Sequence, residues 1–274
     1  ASPGAEHKAL CPVCWLMDTE KPGGPRGRNI PRPYAVEPPL CSGGDPARAT
    51  WFDPGQRFRF GLTLYSQALN LFPYLVVALP ILGQTGLGVP LAENGDRAGQ
   101  KRRGRIKLCR VEAVNPVTGE VAPVMGEGQT TVHFPDAPAT QADVDALATV
   151  MRDRVAGSGR LVLRCLTPTR IVEGERLVKR PWLGPLVRRL LERLDALRGE
   201  YAGQPPWPDR QRLSYLADRA QLVEDRTHWQ EVRSGSRRLG RSTWVSGYVG
   251  SAAYQAERET WAALLPLLLW GQAT

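Results

Sequence analysis

Apolar positions along the chain alternate in some segments and recur at helical spacing in others, and the switches between the two mark its elements. In the first half, alternation predicts a short strand over 34–37 and a longer one over 58–65, followed by an apolar helix over about 69–82. A glycine-rich turn, Gly83-Gln84-Thr85-Gly86-Leu87-Gly88, comes next, and then a strand over about 105–113. Residues 115–159 read as connecting chain rich in Gly and Pro. Within it, Thr140 followed three residues later by Asp143 has the form of a helix start. Val144, Leu147, Ala148, Met151 and Val155 then continue at helical spacing.

The second half opens with a strand over 161–166. Leu183, Leu186, Val187, Leu190, Leu191, Leu194 and Leu197 mark one helix face, and Leu213, Leu216, Ala217, Ala220 and Val223 mark a second. Strands follow near 227–233 and 243–248, then a helix turning Trp261, Leu264, Leu265, Leu268 and Leu269 inward. The order is β, helices, β, β, α, and one further strand would complete a ferredoxin-like β-α-β-β-α-β unit. The first half reads β, β, α, β, the same unit without its opening strand and helix. The segments VVALPILGQTGLG and ALLPLLLWGQAT echo each other, each an apolar helix with an internal proline and a Gly-Gln step. The expected fold is therefore α+β: two tandem ferredoxin-like (RRM/RAMP-type) domains, each truncated at an outer end. We place the first over 1–135, a linker with a short helix over 136–159, and the second, with a helical insertion, over 160–274. The non-methionine start and the stop after an apolar helix make both ends read as cut.

Composition adds a partner class. With 42% hydrophobic and 23% charged residues the chain can build a core. Its net charge of +9 and pI near 9.7 favour a polyanionic partner over a neutral one. The apolar stretch from Leu69 to Leu82 falls short of the roughly 20 residues that span a bilayer, and Pro73 and Pro80 interrupt it, so a buried helix and no membrane are expected. Five scattered cysteines, an odd number, fit a reduced cytosol better than a disulfide framework.

Several local patterns in order resemble one family. FRFGLTLYSQALNLFPYLVVALPILGQTGLG is similar to that family's strand-helix-glycine segment, and LVLRCLTPTRIVEGERL to the opening of its second domain. HWQEVRSGSRRLGR, VSGYVGS and WAALLPLLLWGQAT resemble the C-terminal run, and Pro31–Tyr34 after a Cys-x-x-Cys fits the first domain. The family is that of the CRISPR-associated precursor-crRNA processing endoribonucleases, Cas family six, of the RAMP superfamily. The resemblance implies two ferredoxin-like domains that bind CRISPR repeat RNA and cut it once per repeat. It implies metal-independent cleavage, with a 2′-hydroxyl attacking the adjacent phosphate to leave a 2′,3′-cyclic phosphate. No cofactor is then required for cleavage. Retention of the crRNA and association with other Cas proteins of an interference or adaptation complex, in a prokaryotic cytoplasm, are implied as well. On this reading the family's last strand and its glycine-rich loop, and the opening strand and helix where many members keep a catalytic histidine, are expected to fall outside this sequence.

The candidate chemistry lies in three places. Arg97, Lys101, Arg102, Arg103, Arg105, Lys107 and Arg110 form a cationic run with no acid among them, able to follow a phosphate backbone or simply to protect an edge strand. Arg233, Arg237, Arg238 and Arg241, with serines between them, form a second run suited to bidentate phosphate contacts. Of the histidines, His7 reads as a tail residue and His133 as an ordinary strand residue. His228, beside Trp229 and ahead of the second arginine run, is the candidate catalytic group. Cys11 and Cys14 form half of a zinc site, with Cys41 a third ligand, although one Cys-x-x-Cys is weak on its own. Cys109 and Cys165 read as core residues. Gly83–Gly88 follows a helix and so offers the wrong dipole end to an anion.

Two alternatives stand beside the processing enzyme. One is a non-cleaving crRNA-binding RAMP subunit of an interference complex, which the scarcity of histidine favours. The other is an unrelated tandem RNA-binding module, which would carry exposed aromatic pairs on its central strands.

Overall fold

The computed structural model describes residue 7 and residues 11–17, 31–41, 52–92, 101–135, 138–236 and 241–274. The first elements are a short helix α1 (Pro12–Met17) and an antiparallel hairpin of β1 (Tyr34–Cys41) and β2 (Phe58–Leu64). A 3-10 turn, Ser66–Leu71, runs directly into α2 (Phe72–Thr85), with Pro73 in the first turn where its missing N–H costs nothing. Two further hairpins follow: β3 (Leu87–Ala92) with β4 (Lys101–Gly104), and β5 (Arg110–Val114) with β6 (Val121–Gly126). Among the described residues these strands form three separate two-stranded ladders over a small core of Val76, Val124 and Met125.

Three expectations for this half change. The Gly83–Gly88 turn is shorter than its glycines promised: Gly83, Gln84 and Thr85 are helical, and the chain turns only at Gly86, at φ +90°. In place of one strand over 105–113 there are β4 and β5, with residues 105–109 outside any ladder. The reason is local, because the Ile106 N–H donates to the Gly83 carbonyl at 3.1 Å and so caps α2 instead of pairing a strand. A side chain at Gly83 would meet the Ile106 carbonyl at 2.4 Å, so only glycine admits this approach. Finally, α2 is not a buried helix. Only Val76 and Gly83 are covered, while Tyr74, Val77 and Ile81 stand 73%, 54% and 63% exposed. The helical run Ser66–Thr85 is 20 residues, so by length and composition alone it meets the requirement of a membrane span.

The second half holds the main core. Helix α3 (Gln141–Ala156) starts at the capping box read from sequence: Thr140 Oγ1 accepts from the Asp143 N–H at 3.2 Å, and Asp143 Oδ2 accepts from the Thr140 N–H at 2.8 Å. Next come β7 (Arg160–Thr169), the small hairpin β8 (Ile171–Glu173) and β9 (Arg176–Val178), α4 (Leu183–Ala202) and α5 (Arg210–Arg219). The long strands β10 (Gln221–Ser236) and β11 (Arg241–Gln255) and the final helix α6 (Arg258–Gln272) complete the order. The sheet order is β10-β11-β7, antiparallel throughout, as in a ferredoxin-like unit up to its second helix. The α+β expectation is met.

Helices α3 to α6 cover one face of this sheet. Leu183, Val187, Leu191 and Leu194 recur along α4 and are buried with Trp261, Leu264 and Leu265 of α6, each worth roughly 1.5–3 kcal/mol of burial. The predicted linker helix joins this core through Val144, Ala148 and Val155. Trp261 Nε1 donates to the Gly159 carbonyl at 2.7 Å, tying α6 to the start of β7. The second helix face was read too far. Its end at Ala220 and Val223 belongs instead to the entry into β10, where Val223 is the extra residue of a bulge between Leu222 and Glu224.

Candidate nucleic-acid interface

Alternation decides what each face of the β10-β11-β7 sheet carries. Leu161 and Leu163 of β7, Ala252 and Tyr254 of β11 and Leu222 of β10 point to the helices. The opposite face receives Arg160, Val162 and Arg164 from β7, Val249, Ser251 and Ala253 from β11, and Glu224, Arg226 and His228 from β10. Register brings these into rows. Arg164 pairs with Ser251, which pairs with Arg226, so two arginines stand abreast across the sheet with a serine between them. Two strand spacings put their backbones about 10 Å apart. His228, paired with Val249, is two residues further along β10, or about 7 Å from Arg226. Arg164, Arg226 and His228 are exposed. Glu224 lies between two cations of this face and binds both, Arg160 through Nη2 and Arg226 through Nε.

Such a surface can hold a phosphodiester between guanidinium groups and present an imidazole to it. Among the described residues, the open face carries no Phe, Tyr or Trp at these positions. Tyr248 and Tyr254 are buried with the helix-side face, where burial pushes both phenols up, and the Tyr254 hydroxyl donates to the Pro181 carbonyl. Base stacking of the kind expected from an unrelated tandem module has no platform here.

The first cationic run is partly spent on the protein itself. Arg97 lies outside the described residues, and Lys101 is described only in its backbone. Arg102, Arg103, Arg105 and Lys107 are exposed, but the Arg103 guanidinium donates to the Gly88 carbonyl. Lys107 Nζ pairs with Glu127 at 2.6 Å, which holds the Glu127 carboxyl below its usual range, and Arg110 pairs with Glu112 at 3.4 Å. The acids come from β5 and the turn after β6, so the run is less cationic in the fold than along the chain.

In the second run, Arg237 and Arg238 lie outside the described residues, and only the backbone of Arg233 and Arg241 is described. That backbone is informative. Ladder pairing of β10 with β11 continues to Ser236 and Arg241, whereas β7 pairs with β11 only from Tyr248 onward. Residues 230–236 and 241–247 therefore form a two-stranded arm beyond the three-stranded sheet, with the arginine positions toward its tip. Position 233 is five residues from His228 and on the other face of the pleat, so the two are not neighbours. The cations that share the face of His228, Arg226 and Arg164, were missed in the sequence. The signal that could have found them is the alternation Leu161-Val162-Leu163-Arg164 read together with strand pairing.

His133 is exposed and lies outside any strand, its N–H donating to the Val124 carbonyl at 2.8 Å. His7, read as a tail residue, has a ring nitrogen within 4.8 Å of the Cys11 and Cys14 sulfurs. The Cys11 thiol is lowered by the Cys14 N–H. The side chain of Cys41 lies outside the described residues. Cys109 is exposed instead of core, because residues 105–109 leave the ladder; Cys165 is half-buried, which pushes its thiol up.

Residues 163–274, which contain Arg164, Ser251, Arg226 and His228, match the family model for CRISPR-associated endoribonuclease Cas6, and residues 2–137 match one described as an N-terminal domain. No curated protein matches the chain in sequence. Similar solved structures include a Cas6 product complex at 17% identity, covering 95% of this chain and 80% of that one, with a TM-score of 0.48. Another Cas6 product complex aligns at 16% identity over 86% of this chain and 73% of that one, with a TM-score of 0.41. Thermus thermophilus Cas6 aligns at 18% identity over 42% of this chain and 48% of that one, with a TM-score of 0.31. The likeness to the family of CRISPR-associated Cas6 endoribonucleases is thus carried by residues 163–274, the second half of the fold.

Proposed function

We propose that this protein matures CRISPR RNA by cutting precursor repeat RNA, with the open face of the β10-β11-β7 sheet as its reaction surface. The observation that carries the reading is the coincidence of the family match over residues 163–274 with a face that sets Arg164, Ser251, Arg226 and His228 side by side. In the proposed reaction His228 takes the proton from a ribose 2′-hydroxyl, or gives one to the departing 5′-oxygen. The 2′-oxygen bonds to phosphorus, the bond to the 5′-oxygen breaks, and the products are a 2′,3′-cyclic phosphate and a 5′-hydroxyl. Arg164 and Arg226 stabilise the charge that develops on the phosphorane. His228 supplies one of the two proton transfers, water the other, and Arg164 and Arg226 the positive charge; in the proposed reaction no metal ion takes part. The arginine-bearing arm and the exposed cations of Arg102 and Arg105 hold the flanking RNA, so the cut product stays bound for other Cas proteins in a prokaryotic cytoplasm.

Incubating the protein with repeat RNA in EDTA tests this. The expected outcome is one cut per repeat with a cyclic phosphate end, slowed about 10²–10⁴-fold in His228→Ala with binding retained. Normal cutting by His228→Ala would remove this histidine from the reaction. A second reading, a non-cleaving crRNA-binding subunit, is favoured by one observation: His7, His133 and His228, the chain's three histidines, are all exposed, with no burial to hold an imidazole in one orientation. Tight binding of repeat RNA with no cut in any condition would select that reading.

A further inference from the structure

The N-terminal segment carries chemistry that RNA cleavage does not use. The Cys11 N–H donates to the His7 carbonyl at 2.8 Å, and the Trp15 N–H to the Cys11 carbonyl at 2.9 Å. This is helical hydrogen bonding, and it puts His7, Cys11 and Cys14, spaced four and three residues apart, on one face. Their donor atoms all lie within 4.8 Å of one another. Around a tetrahedral zinc, bonds of about 2.3 Å to sulfur and about 2.0–2.1 Å to nitrogen set donors roughly 3.5–3.8 Å apart, so small side-chain rotations close the set. Two thiolates and an imidazole are soft and borderline donors, which select zinc over hard cations such as magnesium or calcium.

We infer that His7, Cys11 and Cys14 hold one zinc ion that stiffens the N-terminal segment ahead of the turn that docks on α4. Binding releases the two thiol protons to solvent and leaves one coordination position for water or a fourth side chain. The residues directly after the last ligand show what the ion would secure. Leu16 is buried, and the Trp15 ring meets Tyr201 of α4 edge-on at 6.2 Å. Tyr201 in turn donates its hydroxyl to the Pro31 carbonyl, and burial pushes that phenol up to about 12. A metal at this place stiffens a segment whose next turn docks on the helix of the other half. None of its ligands lies on the sheet face proposed for RNA.

The test uses the whole chain with zinc or cobalt alone, independently of any RNA readout. Purified protein dialysed against a weak chelator should retain stoichiometric zinc. The apo-protein titrated with Co(II) should develop thiolate-to-cobalt charge-transfer absorption and the visible bands of a tetrahedral ion. Zinc should raise the melting temperature of the wild type and leave that of C11S/C14S unchanged. His7→Ala should weaken cobalt binding and alter the visible bands, whereas Cys109→Ser should behave as wild type. Absence of the cobalt spectrum from the wild-type apo-protein would overturn the inference even if the variants fail to fold. Equal metal content in folded C11S/C14S would overturn it as well.

Discussion

Arg164, Ser251 and Arg226 lie in one row only because three strands pair in one register, and no two of them are near in sequence. Each arginine engaged with a single-stranded backbone contributes about 0.7 to the salt slope of binding, so Arg164→Ala with Arg226→Ala should flatten that slope by about 1.4 while weakening affinity. A salt titration with uncleavable repeat RNA measures it, and an unchanged slope would take the pair off the interface. The capping box of α3 lies at the other extreme of legibility. Thr140 and Asp143 were readable because the motif closes within four residues, and the structure closes it that way. His228 could be picked out by type, and Arg226, two residues before it, shares its face by alternation, whereas Arg164 enters the row only through strand pairing.

Elements were legible where one period ruled and illegible where tertiary pairing overruled it. Helices α3, α4 and α6 appear where apolar spacing placed them, whereas α5 ends early and β10 starts six residues before the strand read near 227. Its first residues continue a helical-looking pattern, and only the pairing of Gln221 with Gln255 turns them into strand. The β8–β9 hairpin escaped notice because its strands are three residues each, too short for alternation to register. At the root of the arm, Gly247 decides where β7 leaves the sheet. A side chain there would meet the Thr169 backbone at 2.5–2.6 Å. Gly247→Ala should cost about 1–3 kcal/mol by this overpacking, read as a fall in the urea midpoint. The arm, some seven residues per strand, reaches roughly 24 Å from that point.

At the scale of the molecule, the two halves meet through backbone carbonyls more than through side-chain pairs. Tyr65 donates to the carbonyls of Ala273 and Thr274, both at 3.2 Å; Ser66 donates to that of Tyr201 at 2.9 Å, and Gln272 to that of Pro116 at 3.3 Å. None of this could be read from sequence, because any tyrosine or serine can make such a bond and only the fold chooses the acceptor. The paired helices with internal prolines were legible as an echo, yet their fates differ: α6 is sunk in the larger core and α2 lies open beside the smaller one.

The Glu224 carboxylate, clasped by Arg160 and Arg226, sets how indiscriminate the sheet can be toward RNA. By occupying two guanidinium groups it makes every transcript compete for them, and only one with the right shape can compensate through contacts elsewhere. Glu224→Gln should therefore tighten binding to unrelated RNA more than to the repeat, narrowing the ratio between them; an unaltered ratio would show that this anion has no part in choosing the transcript. The acid would then act as a filter, making the surface a poorer glue and a better judge.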